Sequence, residues 1–223
     1  MKNLLYKEFK LSIHPLTYFF VVLMALSALA PTFPAFVPLL YFGASYTFLF
    51  IGMNKTTTTN DLFYTCNLPI RREDVVKARV CSTTVLQLFE LVLVFGFFFI
   101  SSYFRKNMKP EEAKIAWITI EQGFFLLGTY FLCFSVFDLI YLPWFYRNGK
   151  SIILNMFVAI IATTIVGSIL TIVPYFTFKD IITIKGGNLI LQLGFLLACI
   201  GIWFASKVIV IKWSAKNLTK LDF

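Results

Sequence analysis

The stretch VCSTTVLQLFELVLVFGFFFISSYF (Val80–Phe104) holds 25 consecutive residues with one formal charge, at Glu90. A helix needs about 20 apolar residues to cross the hydrocarbon core of a bilayer. The apolar residues are continuous rather than alternating, which is not the pattern of a membrane-spanning β-strand. The stretch therefore predicts a transmembrane helix, with Glu90 near its middle.

The composition of the whole chain agrees with this prediction. Of the 223 residues, 59% are hydrophobic, 18% are aromatic and 14% are charged. The mean hydropathy is +0.80. Soluble domains carry roughly 25% charged residues and cannot bury so much apolar surface. The sequence predicts an all-α integral membrane protein that forms one transmembrane domain over residues 1–223.

Similar apolar runs lie before and after the stretch at 80–104 in the chain. Leu11–Asn54 has no formal charge over 44 residues, which is too long for one span but fits two. Pro31 and Pro34 lie near its middle and favour a turn, because proline removes a helical N–H and clashes with the preceding turn. We predict six spans, at about 16–31, 35–53, 80–104, 117–142, 151–176 and 189–206.

Lys and Arg residues set the expected orientation of these spans. With six spans, 14 basic residues fall on the side of the two termini and 6 fall on the other side. Because basic loops stay in the cytoplasm, both termini are expected there. At the N-terminus, Leu4, Leu5, Phe9 and Ile13 share one helical face, which predicts an interfacial helix on the cytoplasmic leaflet.

A short amphipathic helix is predicted over residues 68–79, just before the third span. Pro69 suits the first turn of a helix, where its missing N–H would be unpaired in any case. Glu73 and Lys77 are spaced i, i+4 in the favourable order. Val75 and Val76 supply an apolar side. On physical grounds alone this segment is either a solvated loop helix or a docking element.

The sequence lacks the patterns of several chemistries. It has no G-x-x-x-x-G-K-[ST] loop for ATP, no G-x-S-x-G nucleophile motif, and one histidine, His14. Its four cysteines have no metal-ligand spacing. Enzymatic activity, a resident metal and a cofactor of its own are therefore not expected. Nucleic acid is not expected as a partner either, because the basic residues are scattered over short loops.

Four polar side chains within the predicted spans are candidates for an intramembrane function: Gln87, Glu90, Glu121 and Asp138. An ionisable group at membrane depth is costly and is a functional-site hypothesis by default. Glu90 and Gln87 are one turn apart and fit either an ion site or hydrogen bonds between helices. Glu121 and Asp138 lie nearer the ends of the fourth span, where they also fit contacts with lipid headgroups.

Two segments carry a resemblance to a known family. NLPIRREDVVKAR (Asn67–Arg79) resembles the first cytoplasmic loop of permease subunits of ABC transporters in the type-2 export class. YLPWFYRNGKS (Tyr141–Ser151) resembles the second cytoplasmic loop of those subunits. The six-span layout, the N-terminal helix and the length are similar too, so the resemblance covers nearly the whole chain.

This resemblance implies an ATP-driven exporter in a bacterial plasma membrane. Two permease chains, identical or different, would pair, and two cytoplasmic ATP-binding subunits would bind ATP and Mg²⁺. The docking residues that it implies are Leu68, Pro69, Arg71, Arg72, Glu73, Asp74, Val75, Val76 and Lys77, with secondary contacts from Phe145, Tyr146 and Arg147.

Small permeases of this kind resemble exporters of amphipathic, modulin-type peptides, which makes such peptides the expected cargo. Two other functions remain open on the residues alone. One is a secondary transporter or channel that uses Glu90 as a proton or ion site. The other is a membrane scaffold or sensor in which the helix at 68–79 is a signalling contact.

Overall fold

The computed structural model describes residues 2–13, 15–26, 29, 65, 69–106, 123–148, 152–177 and 189–220. Regular structure within these ranges is helical, as predicted. We label the helices α1 to α6 in chain order: α1 (Lys2–Lys7, continued by a π-helical turn at Glu8–Ser12), α2 (Pro15–Leu26), α3 (Arg72–Lys106), α4 (Gly123–Asn148), α5 (Ile152–Thr177) and α6 (Leu189–Leu218).

Helix α4 is the centre of the described bundle. It packs along α6 on one side and α5 on another, while α6 also packs on α3. Helices α1 and α2 pack against α3. The buried core is richest on α4, where an aromatic stripe at i, i+3, i+4 spacing turns inward: Tyr130, Phe134, Phe137, Tyr141 and Phe145.

Two hydrogen bonds bring the first turn of α3 and the last turns of α4 and α6 to the same end of the bundle. The Arg72 guanidinium donates to the Leu218 carbonyl at 3.0 Å. The Asn217 side-chain amide donates to the Pro143 carbonyl at 2.8 Å. We call this end the Arg72 end. Helices α4 and α6 therefore run parallel to each other and antiparallel to α3.

The structure changes two predicted helix ends. The fourth span was predicted to end at 142, but α4 continues through Pro143 to Asn148. The sixth span was predicted to end at 206, but α6 continues through Lys207 to Leu218. Lys207 is stabilised by a carboxylate on α4, and the Pro143 carbonyl accepts a hydrogen bond from Asn217 on α6. The fifth span, predicted at 151–176, matches α5 within one residue.

The short amphipathic helix at 68–79 was predicted to run into the third span at 80–104. Helix α3 is one continuous helix of 35 residues, from Arg72 to Lys106. It begins at Arg72, with Glu73 and Asp74 in its first turn, where negative charges interact favourably with the helix dipole and stabilise the helix. The hydroxyls of Ser82, Thr83 and Thr84 donate hydrogen bonds to backbone carbonyls of the preceding turn. These hydrogen bonds allow the three side chains to lie in an apolar environment.

Three of the helices are long and apolar enough to cross a membrane within the described part of the chain: Arg72–Phe97, Phe124–Arg147 and Ile190–Leu218. A shorter apolar segment of α5 covers Leu154–Leu170. Helix α2 covers part of the first predicted span. The second predicted span at 35–53, the start of the fourth at 117–122, Leu68 and Glu121 lie outside the described residues.

Gly128 is where α4 and α6 approach most tightly among the described glycines. A Cβ atom built there would lie 2.7 Å from Cε1 of Phe195 and 3.3 Å from Sγ of Cys199. The Phe195 ring cannot retreat easily, because it is stacked on Phe125 with ring centroids 4.8 Å apart. Glycine is therefore needed at this position for steric reasons.

Gly128→Ala is expected to destabilise the bundle by about 1–3 kcal/mol, the usual cost of overpacking. Gly201→Ala on α6 is the matched control, because a Cβ there meets nothing within 4 Å. Unfolding of the purified protein in mixed detergent micelles measures both effects. Equal stability of the two variants would contradict the close approach.

Candidate functional site

The most polar part of the described interior joins α3, α4 and α6. The Lys207 ammonium donates to Oε1 of Gln87 at 2.7 Å and forms an ion pair with Oδ2 of Asp138. The Gln87 amide donates to the same Asp138 oxygen at 2.9 Å. All three side chains are buried. We call Gln87, Asp138 and Lys207 the polar layer.

The polar layer neutralises two charges at membrane depth. Asp138 lies ten residues before the end of α4, which places it roughly 15 Å from the Arg72 end along the helix. A single charge at such depth costs several kcal/mol, and a pair is tolerated when the remaining donors and acceptors find partners. Gln87 supplies both an acceptor and a donor, while Oδ1 of Asp138 has no hydrogen-bond partner among the described residues. Asp138 therefore pairs within the protein instead of reaching headgroups.

Glu90 lies one turn beyond Gln87 on α3, away from the Arg72 end. Its side chain is 1% exposed, and its two carboxyl oxygens have no hydrogen-bond partner among the described residues. Gln87 and Glu90 therefore have different surroundings: Gln87 belongs to the polar layer, and Glu90 does not.

The predicted docking residues divide into an exposed set and a buried set. Arg71 and Glu73 are exposed, the Lys77 side chain is 40% accessible, and Glu73 and Lys77 form an ion pair at 2.8 Å. Pro69 is exposed, and Arg72 and Asp74 are partly buried. Val75 and Val76 are buried within this chain, at 4% and 0% exposure, so they form an internal contact and not an open apolar seat.

The second segment divides in the same way. Phe145 and Tyr146 are buried, with ring centroids 5.1 Å apart in an edge-to-face contact. Arg147 and Trp144 are exposed. Of the three secondary contacts predicted here, only Arg147 has a side chain that is open within the described structure.

A second buried ion pair ties α1 to α3. The Arg79 guanidinium donates to Oε1 of Glu8 at 3.2 Å and forms a salt bridge with Oε2 of Glu8. Glu8 opens the π-helical turn, in which the Ile13 N–H reaches the Glu8 carbonyl at 2.9 Å. Such turns shift the direction of side chains within a helix. The N-terminal helix is therefore attached to α3 just after the exposed charges.

The sequence patterns missed Lys207, Glu8 and Arg79 as interior residues. Each sits in a stretch that is basic or amphipathic, where a charge normally marks the membrane surface. Their partners are 69 and 71 positions away in the chain. A signal was nevertheless present for Lys207, because it follows a largely apolar run that has no formal charge from Leu189 to Ser206.

These features define a helical membrane protein whose long spans are joined by buried polar contacts and whose Arg72 end carries exposed charges. A sequence profile of the family described as ABC-2 family transporter protein matches residues 3–213. The chain belongs to this family, whose members are membrane components of transporters and in general pair with an ATP-binding subunit. No curated protein and no solved structure matches the chain.

Removing one partner of the polar layer is expected to leave an uncompensated buried charge. Lys207→Met and Asp138→Leu should each lower the free energy of unfolding by about 3 kcal/mol. The double variant should recover at least ~1 kcal/mol of the summed loss, as expected for residues in contact. Denaturation in mixed micelles measures this cycle.

Lys212→Met on the exposed side of α6 is the control for this cycle and should change stability little. Additive effects of the two substitutions, or equal effects of Lys207→Met and Lys212→Met, would show that the ion pair does not hold the helices together.

Proposed function

We propose that this chain is the transmembrane subunit of an ATP-driven exporter, paired with a second permease chain and with two cytoplasmic ATP-binding subunits. The family match over residues 3–213 is the observation that carries the proposal. ATP and Mg²⁺ would be bound by the partner subunits. The Arg72 end would face the cytoplasm, in keeping with its basic residues.

Helix α3 is suited to carry a movement from an ATP-binding subunit into the membrane. Its 35 residues extend over roughly 52 Å, while the hydrocarbon core is about 30 Å thick. The first turns therefore project beyond the core without a break in the helix. A displacement at Glu73 or Lys77 would reach α4 and α6 through the polar layer, because the helix between them is continuous.

The docking surface proposed here contains fewer residues than the sequence analysis predicted. It consists of the accessible charged side chains of Arg71, just before α3, and of Glu73 and Lys77 in its first turns. Arg71 is free to make charge-assisted hydrogen bonds to an acidic surface on the partner. Arg72 instead fixes the end of α6 through the Leu218 carbonyl, which makes its role one of positioning.

Reversing the charges of Arg71 and Lys77 tests the docking surface. We expect the Arg71→Glu, Lys77→Glu double variant to lose the ATP-binding subunit on co-purification, by tenfold or more, while it remains folded. The control is Lys212→Glu, which reverses one exposed charge on α6. Retention of the partner by the double variant would contradict docking at this surface.

Amphipathic peptides are the proposed cargo. The motivation is the similarity of the two loop segments to peptide exporters, together with the aromatic richness of the chain, which has 27 Phe, 10 Tyr and 4 Trp. The aromatic stripe on α4 is buried between helices, where it offers stacking and edge contacts if the bundle opens on that side.

The reconstituted complex of permease and ATP-binding subunit tests the cargo. Amphipathic helical peptides are expected to stimulate ATP hydrolysis severalfold and to be moved across vesicle membranes, while polar peptides of equal length do neither. If amphipathic peptides neither stimulate hydrolysis nor are moved, the cargo proposal is wrong.

The same assay separates export driven by ATP from the alternative that uses Glu90 as an ion site. Glu90→Gln removes the ionisable group and keeps the shape of the side chain. ATP-driven export predicts that peptide movement persists in this variant and stops when the ATP-binding subunit is omitted. The alternative predicts transport without that subunit and loss of transport in Glu90→Gln.

A further inference from the structure

A groove of about 720 Å³ lies at the Arg72 end between α4, α5 and α6. Its inner wall is apolar and is formed by Leu139, Ile140 and Val158. Its outer wall is polar and basic and is formed by Arg147, Asn217 and Lys220. The groove therefore changes from apolar to cationic along the direction in which a membrane changes from acyl chain to headgroup.

Two tryptophans mark the depth of this change. Trp144 and Trp213 line the groove and are 39% and 57% exposed. Exposed tryptophan is enriched at the headgroup level of membranes. Leu139 and Arg147 are eight positions apart on α4, which corresponds to roughly 12 Å along the helix axis. That distance suits a phosphate and glycerol group with the first part of an acyl chain below.

The basic rim is held in place by the fold. Asn217 is anchored by its hydrogen bond to the Pro143 carbonyl, which closes α6 onto α4 at the groove. Beyond the helix, the Lys220 N–H bonds the Asn217 carbonyl at 3.1 Å and the Thr219 N–H bonds the Ala215 carbonyl at 3.1 Å. The turn that carries Lys220 is therefore defined by hydrogen bonds.

The charge of the groove favours an anion. No acidic side chain is among the described residues that line it. The ends of α4 and α6 contribute roughly half a negative charge each through the helix dipole, and the two formal positive charges on Arg147 and Lys220 exceed that sum. Basic pockets between transmembrane helices are suited to phosphate-bearing headgroups.

We propose that this groove binds a phospholipid with a net negative headgroup. The phosphate would lie between Arg147 and Lys220, with Asn217 at its side, and one acyl chain would lie along Leu139, Ile140 and Val158. The site does not depend on the cargo or on the ATP-binding subunit. It assigns Arg147 to lipid and leaves the docking of a protein partner to the start of α3.

Lipid binding is measured on the purified full chain without its ATP-binding subunit. Native mass spectrometry counts the lipids retained, and thermal melting in nanodiscs compares phosphatidylglycerol with phosphatidylcholine. We expect phosphatidylglycerol to be retained and to raise the melting temperature above that in phosphatidylcholine. Inorganic phosphate in detergent should give no such rise, because it lacks the acyl chain.

Paired variants separate the groove from general charge. Arg147→Gln with Lys220→Gln should weaken phosphatidylglycerol binding by roughly 10- to 30-fold, the loss expected for two basic side chains near an anionic headgroup. Lys212→Gln with Lys216→Gln removes the same charge from α6 outside the groove and should keep the affinity. Lys220→Gln alone lies beyond the last helical turn, keeps the fold, and should give a partial loss.

Three results would overturn the proposal. They are equal stabilisation by the two lipids, stabilisation by inorganic phosphate as large as that by phosphatidylglycerol, and equal loss of binding in the two double variants. The first would show no preference for an anionic headgroup. The second would show a phosphate site, and the third a diffuse surface attraction.

Discussion

The contact among Lys207, Asp138 and Gln87 determines how α3, α4 and α6 meet. In a bilayer, helices gain little by hiding apolar surface from one another, because lipid tails are as apolar as leucine. Lipid tails cannot replace the hydrogen bonds of polar groups at membrane depth, so a partner inside the protein is favourable there. One ion pair with a bridging amide therefore fixes both which faces of these helices touch and how far each is shifted along its axis.

The same interaction explains where the sequence was sufficient and where it was not. Helical class and the bounds of α5 follow from hydropathy alone, because length and continuous apolarity are properties of one segment. The ends of α4 and α6 are different. A lysine at the end of an apolar run normally marks the end of a span. Lys207 instead lies inside α6, because its charge is paired with Asp138, which is 69 positions away in the chain. Pro143 lies inside α4, and hydropathy does not show that the helix continues through it.

The charged residues at the start of α3 show a second limit of sequence patterns. Amphipathic spacing identified Arg71, Glu73 and Lys77 as a polar face and Val75 and Val76 as an apolar one. It did not show whether the apolar face meets another protein or this one. The structure buries both valines within this chain and pairs Arg79 with Glu8, so this face of α3 packs inside the described bundle. An apolar stripe on a helix indicates that another surface covers it. The stripe alone does not indicate whether that surface belongs to the same chain or to a partner.

The polar contacts are distributed unevenly along the bundle, and this bears on how it moves. The polar layer, the bond from Asn217 to Pro143 and the bond from Arg72 to Leu218 lie between the Arg72 end and a depth of roughly 15 Å. The contacts of Gly128 and Phe125 with Phe195, farther from that end, are apolar. Apolar surfaces in a bilayer separate at lower cost than buried charges. A displacement applied at the start of α3 would therefore move the Arg72 half as one body and separate the described helices at the opposite end, which is the opening that the proposed exporter needs.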